Sequence, residues 1–239
     1  TYQKTVMGRL DAVTLEVIWN RMIASVDEAA KAIVRTSFST LSNEANDFAC
    51  VLTDAEGQLL AQNSGSIPSF IGTLPATVRH TLNKFGHDGL HPGDVICTND
   101  PWLGTGHLND CSIVRPIFRD SHLIAFAATA SHMPDIGGRI RSVEAREIFE
   151  EGFQIPLIKI LRNGTEDKTF FELLRAQVRT PNQTEGDINA LITANYLIED
   201  RVLTMLAEYG LDNLQAISKE LNDRTEIAMR SAIKKITDG

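Results

Sequence analysis

The 239-residue chain lacks most of the features that announce a function outright. It has three cysteines, Cys50, Cys97 and Cys111, an odd number with no CxxC pair. A disulfide framework and a cysteine zinc site are therefore not indicated. All three lie in or beside stretches that read as strands, so they are expected to be reduced core thiols. Reduced thiols make the cytoplasm the expected location. Positive charge is scarce: 23 Lys and Arg stand against 31 Asp and Glu, for a net −8. Without a basic face, nucleic acid is not an expected partner. No apolar run approaches the roughly 20 residues of a membrane helix, so no membrane association is expected. No signal-peptide pattern opens the chain, and it begins at Thr1 without Met, so the natural start is expected to lie upstream. There is no Walker A loop, GxGxxG, GxSxG or HExxH. A nucleotide site or a serine-hydrolase elbow on this chain is therefore unsupported.

What is present is an ordinary globular composition, 43% hydrophobic and 23% charged. Asp11 to about Phe38 reads as one long helix, capped by Asp11, with an apolar stripe of Val13, Val17, Met22, Val26, Ala29, Ile33 and Val34. Ser39 to Asp47 is a short-sided polar loop, followed by a strand at Phe48–Thr53, a turn at Asp54–Gly57 and a return at Gln58–Gln62. Asn63 to Gly72 reads as a Gly/Ser/Pro loop. The spacing predicts a helix over Thr73–Phe85, with Pro75 in its first turn. Strands are expected at Val95–Thr98, Ser112–Phe118, Leu123–Thr129 and Ile155–Leu161, and a short acidic helix at Val143–Glu151. Amphipathic helices follow at Lys168–Val178, about Asp187–Tyr209 and Leu211–Ile236. The expected fold class is α+β: a mixed sheet and hairpin core, an N-terminal long helix and a C-terminal helical layer. Residues 1–165 form the mixed part and 166–239 the helical part packed on it, read as one continuous domain.

The chemistry gathers between Thr98 and Gly138. Two polar, Gly-rich loops, TNDPWLGTGHLND and SHMPDIGG, flank a hairpin that returns the second loop beside the first. The first carries His107 and Asp110, the second His132 and Asp135. Two imidazoles and a carboxylate suffice for a divalent ion with positions left open for water and substrate. Asp135 is expected as a fourth ligand or as a partner fixing His132. Asp100 is expected to face the same pocket, and Gly104, Gly106, Gly137, Gly138 and Gly152 to let backbone approach a ligand. Glu44 and Asp47 in the preceding polar loop either line the site or are merely solvated. Both loops are expected at the edge of the sheet. Spacing alone leaves a second reading open, two capped turns with their histidines as hydrogen-bond partners.

Longer stretches carry a resemblance. Ser42–Leu60 (SNEANDFACVLTDAEGQLL), His91–Asp110 (HPGDVICTNDPWLGTGHLND), Ser131–Gly138, Phe149–Lys159 (FEEGFQIPLIK) and Ala176–Asp187 (AQVRTPNQTEGD) resemble the hydantoinase B family. That subunit type also forms one half of 5-oxoprolinase and occurs in ketone carboxylases acting on acetone and acetophenone. The resemblance implies an ATP-dependent enzyme acting on cyclic amides, with ATP handled by a separate hydantoinase A-type subunit in a hetero-oligomer. It implies His107, Asp110 and His132 as metal ligands, with Asp47, Glu44 and Asp135 as catalytic residues lining the pocket. The ion implied is Mn or Zn, with Fe as a further candidate. A ketone carboxylase subunit and a truncated, non-catalytic partner-binding subunit are the rival expectations. The chain departs from the family at Ile67–Gly72, where Phe70 stands at a position that is often His, which implies a more apolar pocket. Family chains are longer, so this one is expected to correspond to their N-terminal half.

Overall fold

A computed structural model of the chain describes residues 11–139 and 144–236. Helix α1 (Ala12–Thr36) starts where expected. The Asp11 carboxylate accepts from the Val13 and Thr14 amides at 3.0 and 2.9 Å, satisfying two of the free donors of the first turn. Its buried face runs Leu15, Ile18, Met22, Val26, Ala29 and Ile33, while Val13 and Val17 face solvent. The expected stripe is correct from Met22 onward. Before that, the helical period carries the buried face back through Ile18 and Leu15.

The polar loop that follows contains one helical turn, α2 (Thr40–Asn43), with Ser39 at its N-cap. Strand β1 (Phe48–Asp54) then pairs with β2 (Leu59–Gln62). Helix α3 spans Pro68–Phe85, beginning five residues before the expected start. Pro68 occupies the first turn, where its missing N–H costs nothing, and Pro75 lies inside the helix. The Gly/Ser/Pro loop therefore ends at Ile67. Strands β3 (Val95–Thr98), β4 (Asp110–Arg119) and β5 (His122–His132) come next. The last two form a hairpin across Asp120 and Ser121, both at positive φ, as a two-residue turn requires. The expected acidic helix is a 3₁₀ turn at Ile148–Glu150; Val143 lies outside the described residues, as do Ile140 and Arg141 of the second loop. Strand β6 (Ile158–Arg162) turns through Asn163–Gly164 into the short β7 (Thr165–Glu166). Helices α4 (Lys168–Gln177), α5 (Pro181–Tyr209) and α6 (Gln215–Ile233) complete the described chain.

The seven strands form one sheet in the order β2-β1-β5-β4-β3-β6-β7, every neighbouring pair antiparallel. The fold class is α+β, with the helices packed on both faces of the sheet. Side chains alternate along each strand. Cys50, Leu52, Ile113, Ile117 and Ala127 point to the face covered by α1, α4 and α5. Ala49, Val51, Val114, Phe126, Ala128 and Ala130 point to the face covered by α3, through Phe70, Leu74 and Val78. Strands β5 and β4 stand third and fourth of seven, so the polar loops sit at the ends of the central strands, not at the sheet edge. The small residues Ala49, Ala128 and Ala130 let α3 approach the middle of the sheet. All three cysteines are free and buried.

Candidate metal centre

Hairpin register brings two of the candidate ligands together. Asp110, the first residue of β4, lies directly opposite His132, the last residue of β5. On the other side of β5, the His132 amide donates to the Asp47 carbonyl at 3.1 Å, continuing the β1–β5 ladder by one residue. Asp47, His132 and Asp110 thus stand in a row on adjacent strands. By alternation they share the face of Ala49, Ala130 and Ser112, which is the α3 face. His107 reaches the row from the loop between β3 and β4.

A single oxygen of Asp110, Oδ1, lies 2.9 Å from His107 Nε2 and 3.0 Å from His132 Nδ1. Its other oxygen accepts from the Thr105 hydroxyl at 2.8 Å. The imidazole rings are 5.0 Å apart, centre to centre. Burial pushes the Asp110 carboxyl up, but the hydrogen bonds from both histidines and from Thr105 outweigh it and hold the group down at about 2. His107 is raised, first by its hydrogen bond to Asp110, against partial burial, and further by the charges of Asp110, Glu151 and Asp47. One donor atom from each of His107, Asp110 and His132 lies within 4.8 Å of the other two. Three donors bound at roughly 2.0–2.2 Å to one ion stand at most about 4.4 Å apart, so a small contraction suffices. The donor set, two nitrogens and a carboxylate oxygen, suits a divalent ion of intermediate softness.

The remaining candidates make other contacts. Asp135 is buried but spent: its carboxylate accepts from the Gly137, Arg179 and Thr180 amides and from the Arg179 guanidinium. Burial raises its pKa, and these bonds lower it by more. It organises the second loop through these partners, which do not include His132. Glu44 is exposed at the C-cap of α2, and Asp100 accepts from the Trp102 amide within its own turn. Glu151, inside the FEEGF stretch but not singled out by sequence reasoning, accepts from the Leu108 amide at 3.3 Å and adds its charge near His107. The signal was present: an acidic residue before Gly152, in a stretch that must return to the sheet beside β3.

Two glycines serve the loops in a way not foreseen. A Cβ at Gly138, at φ +57°, would stand 2.4 Å from the Glu151 carbonyl carbon. One at Gly152 would stand 2.5 Å from the Ile136 carbonyl oxygen. They let backbone approach backbone, not ligand. Gly138→Ala is expected to cost about 1–3 kcal/mol, read as a lower urea midpoint at unchanged m-value.

Phe70 packs in the apolar layer on the same face as Asp110 and His132, 4% exposed.

An α+β chain with a His–Asp–His cluster at the open ends of its central strands defines a candidate metal-centred protein. The chain belongs to the Hydantoinase B/oxoprolinase family, whose model matches residues 11–239. It is 32% identical, over 98% of its length and 41% of the relative's, to a Pseudomonas sp. (strain NS671) protein named as the B-type subunit of a D-/L-hydantoinase. It is 30% identical to the beta subunit of the Pseudomonas jessenii caprolactamase, over 98% of this chain and 40% of that one. The crystal structure of the ATP-dependent caprolactamase from Pseudomonas jessenii matches with a TM-score of 0.88 at 30% identity, over 96% of this chain and 40% of that chain. A nucleotide-free acetone carboxylase structure shares the fold, with a TM-score of 0.73 at 23% identity, over 85% of this chain and 27% of that chain. The chain thus spans about 40% of the length of the curated relatives it matches first. No helix among the described residues is long and apolar enough to cross a membrane.

Proposed function

We propose that this chain is the metal-binding catalytic part of an ATP-dependent cyclic amidohydrolase of hydantoinase or 5-oxoprolinase type. The observation that carries the reading is the convergence of His107, Asp110 and His132 in a member of this family. A divalent ion held by these three, Mn or Zn by preference, supplies a Lewis acid beside an amide carbonyl or an attacking water. ATP is used by a separate A-type subunit, and the names of the relatives, as B-type and beta subunits, favour such a hetero-oligomer. The cytoplasmic location goes with this reading, in keeping with the free thiols.

The residues of this chain have distinct tasks. His107, Asp110 and His132 hold the ion. Asp47, half-buried and next in the row to His132, accepts or returns the proton of the attacking oxygen. Phe70 belongs to the apolar layer of that face and favours a ring with hydrocarbon over one rich in polar groups. Glu44 remains at the rim, and Asp135 is left to the loop it organises. Cyclic amides are preferred over ketones because two relatives, at 32% and 30% identity over nearly the whole chain, bear hydantoinase and caprolactamase names. Isotope-labelled bicarbonate decides between them, since only a carboxylase incorporates the label.

The test is turnover of hydantoins, lactams and oxoproline with an A-type subunit and ATP. Asp47→Asn is expected to lower the rate by about 10²–10⁴-fold, the range for a general base, while metal content stays at the wild-type level. An unaltered rate would return Asp47 to the solvated loop. Absence of turnover on every ring with partner and ATP present would leave the partner-binding reading in place of catalysis.

A further inference from the structure

We propose that Asn99 and Glu151 form a positioning clamp for His107, so that two residues outside the ligand set determine the metal affinity of the centre. The inference rests on the metal reading above. Asp110 and His132 sit on regular strands, and the sheet register itself sets them opposite each other. His107 is the one candidate ligand on a loop, and its side chain is 45% exposed. Neither strand register nor burial fixes it.

The peptide that carries it is held from two distant parts of the chain. Leu108, the next residue, is fully buried. Its carbonyl accepts from Asn99 Nδ2 at 2.7 Å, and its amide donates to Glu151 Oε2 at 3.3 Å. Both polar groups of one residue are therefore bound by side chains, one from the end of β3 and one from the segment before β6. Asn99 is 1% exposed, and both of its side-chain donor hydrogens are engaged. Its Nδ2 also donates to the Phe153 carbonyl at 2.9 Å, and its Oδ1 accepts from the Ile155 amide at 2.6 Å. This pattern needs two donor hydrogens and an acceptor on one short planar group, which a carboxamide supplies. A carboxylate of the same shape would set negative oxygen against the Leu108 and Phe153 carbonyls. Gly138 packs directly against the backbone of Glu151. Coordination by three groups tolerates little displacement of any one, so movement of the 107–108 peptide would be read directly as lost affinity.

The test titrates Mn and Zn, at one fixed pH, into wild type, Asn99→Asp, Glu151→Ala and Glu151→Gln. Thermal melts and imidazole NMR signals of the metal-free proteins accompany it. Asn99→Asp and Glu151→Ala are expected to weaken metal binding by about 10–100-fold, as partners behind metal ligands do. Glu151→Gln retains an oxygen for the Leu108 amide and should recover most of that loss. In the metal-free proteins the His107 signals should move in Glu151→Ala while those of His132 stay in place. If Asn99→Asp fails to fold, the two Glu151 variants decide, because Glu151 is only part-buried. Wild-type affinity and unmoved His107 signals in Glu151→Ala would overturn the clamp. A wild-type protein that binds neither metal would overturn the metal reading and the affinity claim with it. His107 signals displaced in that same case would still support the clamp's hold on the loop.

Discussion

His132→Ala is expected to purify with little metal, alongside a wild type carrying close to one equivalent. The His132 ring is 15% exposed, and its Nδ1 shares the Asp110 oxygen with His107. Without it the site has two donors, one of them on a loop. The affinity should fall by more than the roughly 10–100-fold typical of partners that only support a ligand. The fold should survive. His132 closes β5, and its backbone bond to the Asp47 carbonyl does not depend on the side chain. His107→Ala should behave alike, since that ring is about half exposed. Elemental analysis of the three proteins purified side by side reads the result. Wild-type metal content in either variant would remove that residue from the ligand set. Metal-free wild type would count against the metal reading and favour a chain whose role is to bind a partner.

The second large effect is the acid dependence of the metal-free protein. Asp110 is held at about 2, below the ordinary 3.8. A depressed carboxyl stabilises the fold above its unfolded value and loses that contribution as the pH falls through its folded value. His107 is raised above the ordinary 6.5. A raised histidine stabilises below its unfolded value and loses its contribution as the pH rises through the folded value. The cluster thus favours the metal-free fold most between about pH 4 and about pH 6.5. The Asp110 share is on the order of 2 kcal/mol, and the His107 share is smaller because solvent screens an exposed ring. Asp110→Asn should lessen the loss of stability between pH 6 and pH 3 in urea titrations by up to about 2 kcal/mol, while Asp135 and the other depressed carboxyls keep their part of the acid limb. A wild type and a variant with parallel acid limbs would contradict the hydrogen-bonded cluster. Metal binding runs the other way: it needs His107 neutral, so affinity should rise with pH through the raised value.

The elements that the sequence made legible are those with a strong local signal. Asp11 was readable as a cap because its carboxylate and the following apolar period agree. The β4–β5 hairpin was readable from two apolar runs around a polar turn, and its length placed the two loops side by side. Misreadings fell where local signals conflict. The loop-forming composition around Pro68 hid a helix start, because the same proline serves either purpose. Val13 and Val17 are as apolar as Leu15 and Ile18, and only packing decided which pair turned inward. Asp135, an acidic residue near a histidine, reads as a ligand in one dimension; in three it accepts from Arg179 and Thr180, far along the chain.

By itself the sequence determined the residue types of the candidate cluster, the α+β pattern and, through long shared stretches, the family. Those properties are local or cumulative along the chain, and hydrophobic period, caps and motif order record them directly. Only the tertiary structure decided that the loops crown the central strands, that Asp47 joins the row and Asp135 leaves it, and that Asn99 and Glu151 grip the peptide after His107. Each of these depends on which strands become neighbours and which buried polar groups find partners. A buried donor or acceptor must be satisfied by whatever the fold brings near, and the linear order of residues does not say what that will be.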